Sequence, residues 1–179
     1  SYVDENSVHH ERWIKKQDSL GNTVVRNYYT EDGFTKNKLK TETHYRTILQ
    51  SGDGYTESDP VTTYYVYGDI LGELRYVIDP EGGYTWYDYD TEGNIKTVMT
   101  FPATEFPIKQ AGFHKDNVPT YAEVNDWRLD NKALGKLAQA QRIDYTYDFR
   151  GQVLTETTWT RLTESGEGVV GCDNVTRYI

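Results

Sequence analysis

A short motif that recurs at a fixed distance constrains this chain more than any other feature. Residues 87–95 read Tyr-Asp-Tyr-Asp-Thr-Glu-Gly-Asn-Ile, and residues 145–153 read Tyr-Thr-Tyr-Asp-Phe-Arg-Gly-Gln-Val. Both segments share the pattern Tyr-x-Tyr-Asp-x-x-Gly, followed by a polar and a β-branched residue. Weaker copies lie at residues 18–23, 29–34, 65–72 and 79–82. The recurrence predicts a chain built from several units of one local structure.

Each copy of the motif predicts a tight turn between two strands. An Asp carboxylate can accept the backbone N–H two residues on, and Gly adopts the positive φ that closes such a turn. Neighbouring copies follow one another at about 10 to 12 residues, an interval typical of short strands joined by turns. We therefore expect turns at 18–21, 79–82, 90–93 and 148–151. The motif residues, to which we assign a structural role, are Tyr87, Tyr89, Asp90, Gly93, Tyr145, Tyr147, Asp148 and Gly151.

The composition agrees with a β-rich chain. Sixteen of the 179 residues are Tyr, and aromatic residues make up 14%; aromatic side chains favour strands. We predict a mainly β fold of antiparallel β-hairpin repeats that form a curved sheet or shell strip. Two stretches interrupt the array, at about 35–61 and 101–142. The first contains a strand-like run, Thr41 to Leu49, and predicts a longer strand pair or an extra hairpin.

The second interruption predicts the one helical insertion, at about 121–141. Thr120 and Glu123 have the spacing of a capping box, which marks a helix start. Val124, Trp127, Leu134 and Leu137 follow at helical spacing, although Asn131 falls on the same stripe. We expect one helix, or two short ones, packed against a face of the sheet.

Charge and cysteine content exclude several classes of partner and site. The formal charge is −9, whereas binding to nucleic acid depends on Lys and Arg that neutralise phosphates. No apolar run approaches the roughly 20 residues needed to cross a bilayer. The single Cys172 excludes an internal disulfide and a zinc site of several cysteines. The chain starts at Ser1 without a recognisable signal peptide, so we expect it to be one piece, 1–179, of a longer repeat protein.

No residue set predicts a reaction, a metal or a cofactor. Residues 88–93 resemble the start of a calcium loop, but Met99 stands where a bidentate Glu is required. His9 and His10 are adjacent, and because adjacent strand residues point to opposite faces, these two side chains cannot easily share one metal ion. Cys172 has no basic neighbour that would lower its pKa. A hydrolase with carboxylates paired only in space stays open as the weakest alternative.

The Tyr-x-Tyr-Asp-x-x-Gly copies resemble YD repeats, also called Rhs repeats. Such repeats occur in bacterial Rhs and polymorphic toxins, in the B and C subunits of Tc insecticidal complexes, in wall-associated proteins and in teneurins. The resemblance covers about 11–34, 62–100 and 143–160. It implies hairpins that coil into a strip enclosing a hollow shell, often around a toxic cargo. Residues 79–83 differ from the Asp-Pro-x-Gly-Leu self-cleavage signature of Rhs proteins because Gly83 replaces Leu, so we interpret them as a turn.

Two functions follow from these expectations. The first is a non-enzymatic structural segment of a large secreted or cell-surface protein. Its partners would be the rest of its own repeat array and an encapsulated toxin domain or a surface glycan. The alternative is a glycan- or receptor-binding module that uses exposed tyrosines together with Trp13, Trp86 and Trp159. An ordinary β-meander whose hairpins share turn chemistry also accounts for the pattern.

Overall fold

The computed structural model describes residues 2–3, 9–10, 15–19, 22–49, 55–101, 106–108, 112–114 and 117–178. Their fold is mainly β, with a single α-helix. The strands are β1 (Tyr2–Val3), β2 (His9–His10), β3 (Lys15–Gln17), β4 (Thr23–Tyr28), β5 (Leu39–Leu49), β6 (Tyr55–Tyr67), β7 (Leu74–Ile78), β8 (Tyr84–Tyr89), β9 (Ile95–Phe101), β10 (Gln141–Tyr147), β11 (Val153–Trp159) and β12 (Asp173–Arg177). The helix α1 (Tyr121–Ala133) is followed by a 3-10 helix at Lys136–Gln139.

Strands β3 to β12 form one ten-stranded antiparallel sheet in which every strand lies beside its neighbours in sequence. The sheet is open and does not close into a barrel. The predicted mainly β fold of antiparallel hairpins is confirmed. Strands β1 and β2 form a separate pair.

The stretch 35–61 does not interrupt the sheet. Strands β5 and β6 are the longest of the sheet, with 11 and 13 residues, and they pair with each other in antiparallel register. The expected longer strand pair is therefore confirmed. A polar loop is also expected from Ser51 to Pro60, and its second part is wrong because β6 begins at Tyr55, while residues 51–54 lie outside the described residues.

The helical insertion begins as expected, and the alternative of two short helices is the one confirmed. The capping box is present: Thr120 Oγ1 accepts the backbone N–H of Glu123 at 3.3 Å, and Glu123 Oε2 accepts the N–H of Thr120 at 2.8 Å. Gly135, with φ of 70°, separates α1 from the 3-10 helix, so two short helices replace one long one. The prediction that Leu134 packs in the core is wrong, because it is the last, non-helical cap of α1 and is 67% exposed.

The core lies on one face of the sheet, beneath α1 and the loop at 160–172. Buried aromatic and aliphatic side chains of the middle strands meet Val124 and Leu137 of the helical insertion. Trp127 makes edge-to-face contacts with Tyr84 and Phe106, at 5.2 and 5.5 Å between ring centroids. The buried apolar residues are Tyr64, Val66, Tyr76, Ile78, Tyr84, Met99, Phe101, Phe106, Ile108, Val124, Leu137 and Leu162.

Asn131 of α1 is buried although it is polar. Its side-chain amide donates to the Trp127 carbonyl oxygen at 2.9 Å, which satisfies the donor that burial would otherwise leave unpaired. The apolar stripe of the helix therefore tolerates this residue. Among the described residues no helix is long and apolar enough to span a membrane.

Candidate functional site

The Asp-x-x-Gly turns are the repeated local structure of this chain, and the Asp90 turn is typical of them. Asp90 Oδ1 accepts the backbone N–H of Glu92 at 3.0 Å and of Asn94 at 2.8 Å. Asp90 Oδ2 accepts from the Asn94 side-chain amide at 3.0 Å. The backbone closes through Gly93 N–H to the Asp90 carbonyl at 3.2 Å. The hydrogen bonds, chiefly that from the Asn94 side chain, lower the pKa of Asp90.

The turn after β10 repeats the same geometry. Asp148 Oδ1 accepts the N–H of Arg150 at 2.8 Å and of Gln152 at 2.9 Å. Gly151 donates to the Asp148 carbonyl at 3.0 Å and has φ of 78°, close to the 87° of Gly93. The prediction that the two copies share turn chemistry is confirmed.

Two further copies use the same capping. Asp79 Oδ1 accepts the N–H of Glu81 and of Gly83, both at 2.9 Å, so the predicted turn at 79–82 is present. Asp18 Oδ1 accepts the N–H of Asn22 at 2.9 Å. The predicted turn at 18–21 is therefore capped by its Asp, whereas Leu20 and Gly21 lie outside the described residues.

The copy at 29–34 forms a longer loop than its sequence indicates. The loop closes through Tyr29 N–H to the Lys38 carbonyl at 3.0 Å, and Asn37 takes the positive φ of 66° that Gly93 has in the Asp90 turn. Gly33 therefore does not close this turn, which corrects the expectation. Asn is among the non-glycine residues that most readily adopt this conformation. Asn37 is therefore the residue in the sequence that indicates where this loop closes.

The second Tyr of each motif connects its hairpin to the one before it. Tyr89 Oη donates to the Leu74 carbonyl at 2.7 Å, and Tyr147 Oη donates to the Ile95 carbonyl at 2.7 Å. Leu74 and Ile95 are the first residues of β7 and β9. Burial raises the pKa of both tyrosines. The hydroxyl groups thus act as hydrogen-bond donors to backbone, which fixes consecutive hairpins together.

In four hairpins a β-bulge lies at the last residue of the strand before the turn, and this residue is a Tyr in each. The register shifts at Asn27/Tyr28, Val66/Tyr67, Asp88/Tyr89 and Thr146/Tyr147. Each shift leaves one extra residue on the following strand, and these residues are Lys40, Arg75, Lys96 and Leu154. Three of the four are basic, and the Arg75 guanidinium lies 5.3 Å from the Tyr89 ring centroid. The signal in the sequence is an aliphatic-basic pair soon after three of the four turns, which the motif does not include.

The first Tyr of each motif, Tyr87 and Tyr145, occupies the sheet face opposite α1. Its neighbour Trp86 packs against the core, and side chains alternate between faces along a strand. Both tyrosines are half-buried. Trp86 and Trp159 pack against the core on the helix side, and Trp13 lies outside the described residues.

The two strong motif copies lie side by side at one end of the strands. The Asp90 and Asp148 turns are consecutive hairpin turns at that end, and a groove of about 560 Å³ lies between them. A Cβ placed on Gly151 would lie 3.6 Å from Asn94 Oδ1 across the groove. Phe149 at the tip of the second turn is 93% exposed. The groove is lined by Asp90, Glu92, Asn94, Lys96, Tyr145, Thr146, Tyr147, Asp148, Phe149 and Gly151.

A polar network under the loop at 160–172 was not predicted. Asp144 accepts from Trp159 Nε1 at 2.6 Å, from Thr97 Oγ1 at 2.7 Å and from Arg142 Nε at 3.0 Å. Arg142 also donates to Glu167 Oε2 at 2.7 Å. Burial alone would lower the pKa of Arg142, but the hydrogen bonds to Asp144 and Glu167 raise it. The network joins β9, β10 and β11 to the loop that covers them.

The carboxylates of the motif are engaged by their own turns. Asp90 Oδ1 and Asp148 Oδ1 each accept two backbone N–H groups of their own turn, so these oxygens are occupied by the fold. Among the residues that the structure describes, no group of three or more His, Cys, Asp or Glu side chains is placed to hold a metal ion.

No protein-family model matches the chain, and no curated protein matches it significantly.

Proposed function

We propose that this chain is a non-enzymatic structural segment of a large secreted or cell-surface protein of the YD-repeat class. In this role its hairpins contribute strands to a shell or surface scaffold, and its partners are the rest of the repeat array and an enclosed domain. The family, the location and the shell rest on the resemblance of the motif. The structural role rests on the geometry of the repeated residues.

The observation that carries the structural role is that the polar atoms of the motif bond to backbone. Asp90 and Asp148 cap their own turns, and Tyr89 and Tyr147 bond to the strand before them. A binding or catalytic residue needs unoccupied lone pairs or donors that face a ligand. The motif residues instead repeat the same backbone contacts in two hairpins, as structural residues of a repeat do.

The structural role predicts that the motif governs stability. Asp148→Ala removes a charged acceptor of two backbone N–H groups, and its loss is expected to cost about 1.5–3 kcal/mol of unfolding free energy. Asp90→Ala is expected to lower the unfolding midpoint in the same direction. Glu92→Ala is the matched control, because the exposed Glu92 side chain has, among the described residues, only the Thr91 hydroxyl as a hydrogen-bond partner, and alanine keeps the backbone N–H that Asp90 accepts. Urea unfolding measures all three variants.

The tyrosine connection supplies a second test of the same role. Tyr147→Phe removes the hydrogen bond to the Ile95 carbonyl and is expected to cost about 1 kcal/mol. Tyr145→Phe, at the other Tyr of the same motif, should leave stability unchanged. The structural proposal fails if the Asp and Tyr variants keep full stability yet abolish a binding or hydrolytic activity found in a ligand screen.

A glycan-binding function is the second candidate, favoured by the groove between the two turns. Aromatic rings of Tyr145 and Phe149 line it together with polar groups of Asn94 and Glu92, a composition that suits a small organic ligand. Trp86 and Trp159 do not contribute to it, since they pack against the core. A glycan array separates the candidates: binding that Phe149→Ala abolishes, with stability unchanged, would favour this function.

A further inference from the structure

A small cavity lies on the side of the sheet that α1 covers, and three separate parts of the chain line it. Its volume is about 200 Å³. Strands β8, β9 and β10 contribute side chains from the sheet, α1 and the 3-10 helix contribute others, and residues 165–167 of the loop at 160–172 complete the lining. The tertiary fold therefore creates this cavity, whereas the groove described above lies between two local turns.

Basic side chains are prominent in the lining of this cavity. Four of its twelve residues are basic and two are acidic, although the whole chain has a formal charge of −9. The basic residues are Lys96 of β9, Arg128 and Lys132 of α1, and Arg142 of β10. Like charges that are collected in one place repel one another, which favours the binding of an anion between them.

The two carboxylates in the lining do not balance these charges, because each already has a partner. Asp88 Oδ1 accepts from Arg75 Nη1 at 3.2 Å. Glu167 Oε2 accepts from Arg142 Nη1 at 2.7 Å, and Arg142 also pairs with Asp144. Within the part of the chain that the structure describes, the lining residues without an ion-pair partner are Lys96, Arg128 and Lys132.

The Arg128 guanidinium is fixed in position by neutral groups. Its carbon Cζ lies 4.3 Å from the Trp86 ring centroid, Nε donates to Tyr76 Oη at 3.1 Å, and Nη2 donates to Asn125 Oδ1 at 3.2 Å. The remaining nitrogen, Nη1, donates to no acceptor among the described residues. A guanidinium whose orientation is already fixed loses little freedom on binding, and its N–H groups match the oxygens of phosphate or sulfate.

We propose that this cavity binds one tetrahedral dianion, a phosphate or sulfate group, between Arg128, Lys132 and Lys96. Three unpaired positive charges suit a dianion better than a carboxylate with its single charge. The volume of about 200 Å³ is smaller than the roughly 300 Å³ at which pockets for drug-sized ligands begin, so the cavity fits an ion or one such group of a larger molecule. This site does not depend on the proposed function.

A titration followed by two-dimensional amide NMR spectra tests the site with inorganic sulfate as the probe. Sodium sulfate, added in exchange for sodium chloride at constant ionic strength, is expected to shift the signals of residues 163–167 and of the Arg128 Nε–H until they saturate. Sodium phosphate should shift the same signals. Sodium acetate, a carboxylate of single charge, should bind at least about tenfold more weakly. The proposal is overturned if the sulfate shifts do not saturate, or if acetate binds as tightly as sulfate.

Replacement of one lysine tests the cavity against the remaining basic surface. Lys132 is exposed in the last turn of α1, so Lys132→Met leaves the core unchanged, and it is expected to raise the sulfate dissociation constant at least about tenfold. Lys136→Met is the matched control, because Lys136 is also exposed but does not line the cavity. The spectrum of each unbound variant verifies its fold. Equal weakening by both variants would overturn the proposal, since net charge alone would then explain the binding.

An organic phosphate separates the two sources of such a group. Phenyl phosphate that binds at least as tightly as inorganic phosphate would assign the site to a phosphate group carried by a larger molecule. Weaker binding of phenyl phosphate would assign the site to the free ion. Phenol is the uncharged control and should leave the same signals unchanged. If phenol shifted them as phenyl phosphate does, the cavity would bind the ring, and the assignment to an anion would be wrong.

Discussion

Two buried tyrosines on neighbouring strands differ in what their hydroxyl groups contact. Tyr76 Oη donates to Asn125 Oδ1 at 3.0 Å and accepts from Arg128 Nε at 3.1 Å. Within the described part of the chain, the Tyr84 hydroxyl is buried without a hydrogen-bond partner, although its ring stacks on Phe101 at 4.2 Å between centroids. The Tyr76 hydroxyl therefore connects α1 to the sheet, whereas burial of the Tyr84 hydroxyl lowers the stability of the core.

This difference predicts opposite effects of the same substitution. Tyr84→Phe removes an unsatisfied buried hydroxyl and is expected to leave the unfolding free energy unchanged or to raise it by about 1 kcal/mol. Tyr76→Phe is expected to lower it by about 1–3 kcal/mol, because Asn125 and Arg128 lose a partner. Chemical denaturation compares the two. A clear loss of stability in Tyr84→Phe would mean that its hydroxyl has a partner in solution.

At the scale of elements, the fold separates Trp127 in α1 from Leu134 at its C-cap, although the sequence assigns both residues to one apolar stripe. Trp127→Ala should cost about 3 kcal/mol, the low end of the range for a large aromatic side chain, since Trp127 is only partly buried. Leu134→Ala, at the exposed end of the helix, should change the unfolding free energy by less than about 0.5 kcal/mol. Thermal unfolding followed by circular dichroism tests the pair. Equal losses would contradict the placement of α1 on the sheet.

Local rules predicted the elements whose geometry is local. The turns at Asp79, Asp90 and Asp148 depend on a carboxylate and on N–H groups no more than four residues away, so the sequence contains all that determines them. Periodicity did not predict that α1 ends before Leu134, because the end depends on the positive φ of Gly135. The Asp144 network could not be predicted from the sequence either, because it joins residues of three strands and a loop that only the tertiary fold brings together.

The whole molecule carries many tyrosines whose ionisation the fold opposes. Burial raises the pKa of Tyr67 and Tyr76 to about 12, and it also raises the pKa of Tyr29, Tyr64 and Tyr65 above their ordinary 10.0. A group whose pKa is raised in the folded state stabilises the fold fully below its unfolded pKa. That contribution is lost as the pH rises through the folded value.

The protein should therefore unfold in alkali between about pH 10 and 12. Tyrosinate absorbance and far-ultraviolet circular dichroism, recorded on the same samples, are expected to change together and steeply. If most tyrosines ionised near pH 10 while the strand signal persisted, their hydroxyl groups would be exposed to solvent in the folded protein.

The order of strands in the sheet bears on how the chain folds in time. Because each strand pairs with its sequence neighbours, most pairings close only short loops, and short loops close quickly and at small entropic cost. Strands β9 and β10 are the exception, since residues 102–140 connect them. Two sub-sheets, β3–β9 and β10–β12, should therefore acquire protection of their amides first. The seam between β9 and β10 should follow once α1 has docked, a sequence of events that pulsed hydrogen exchange during refolding can resolve.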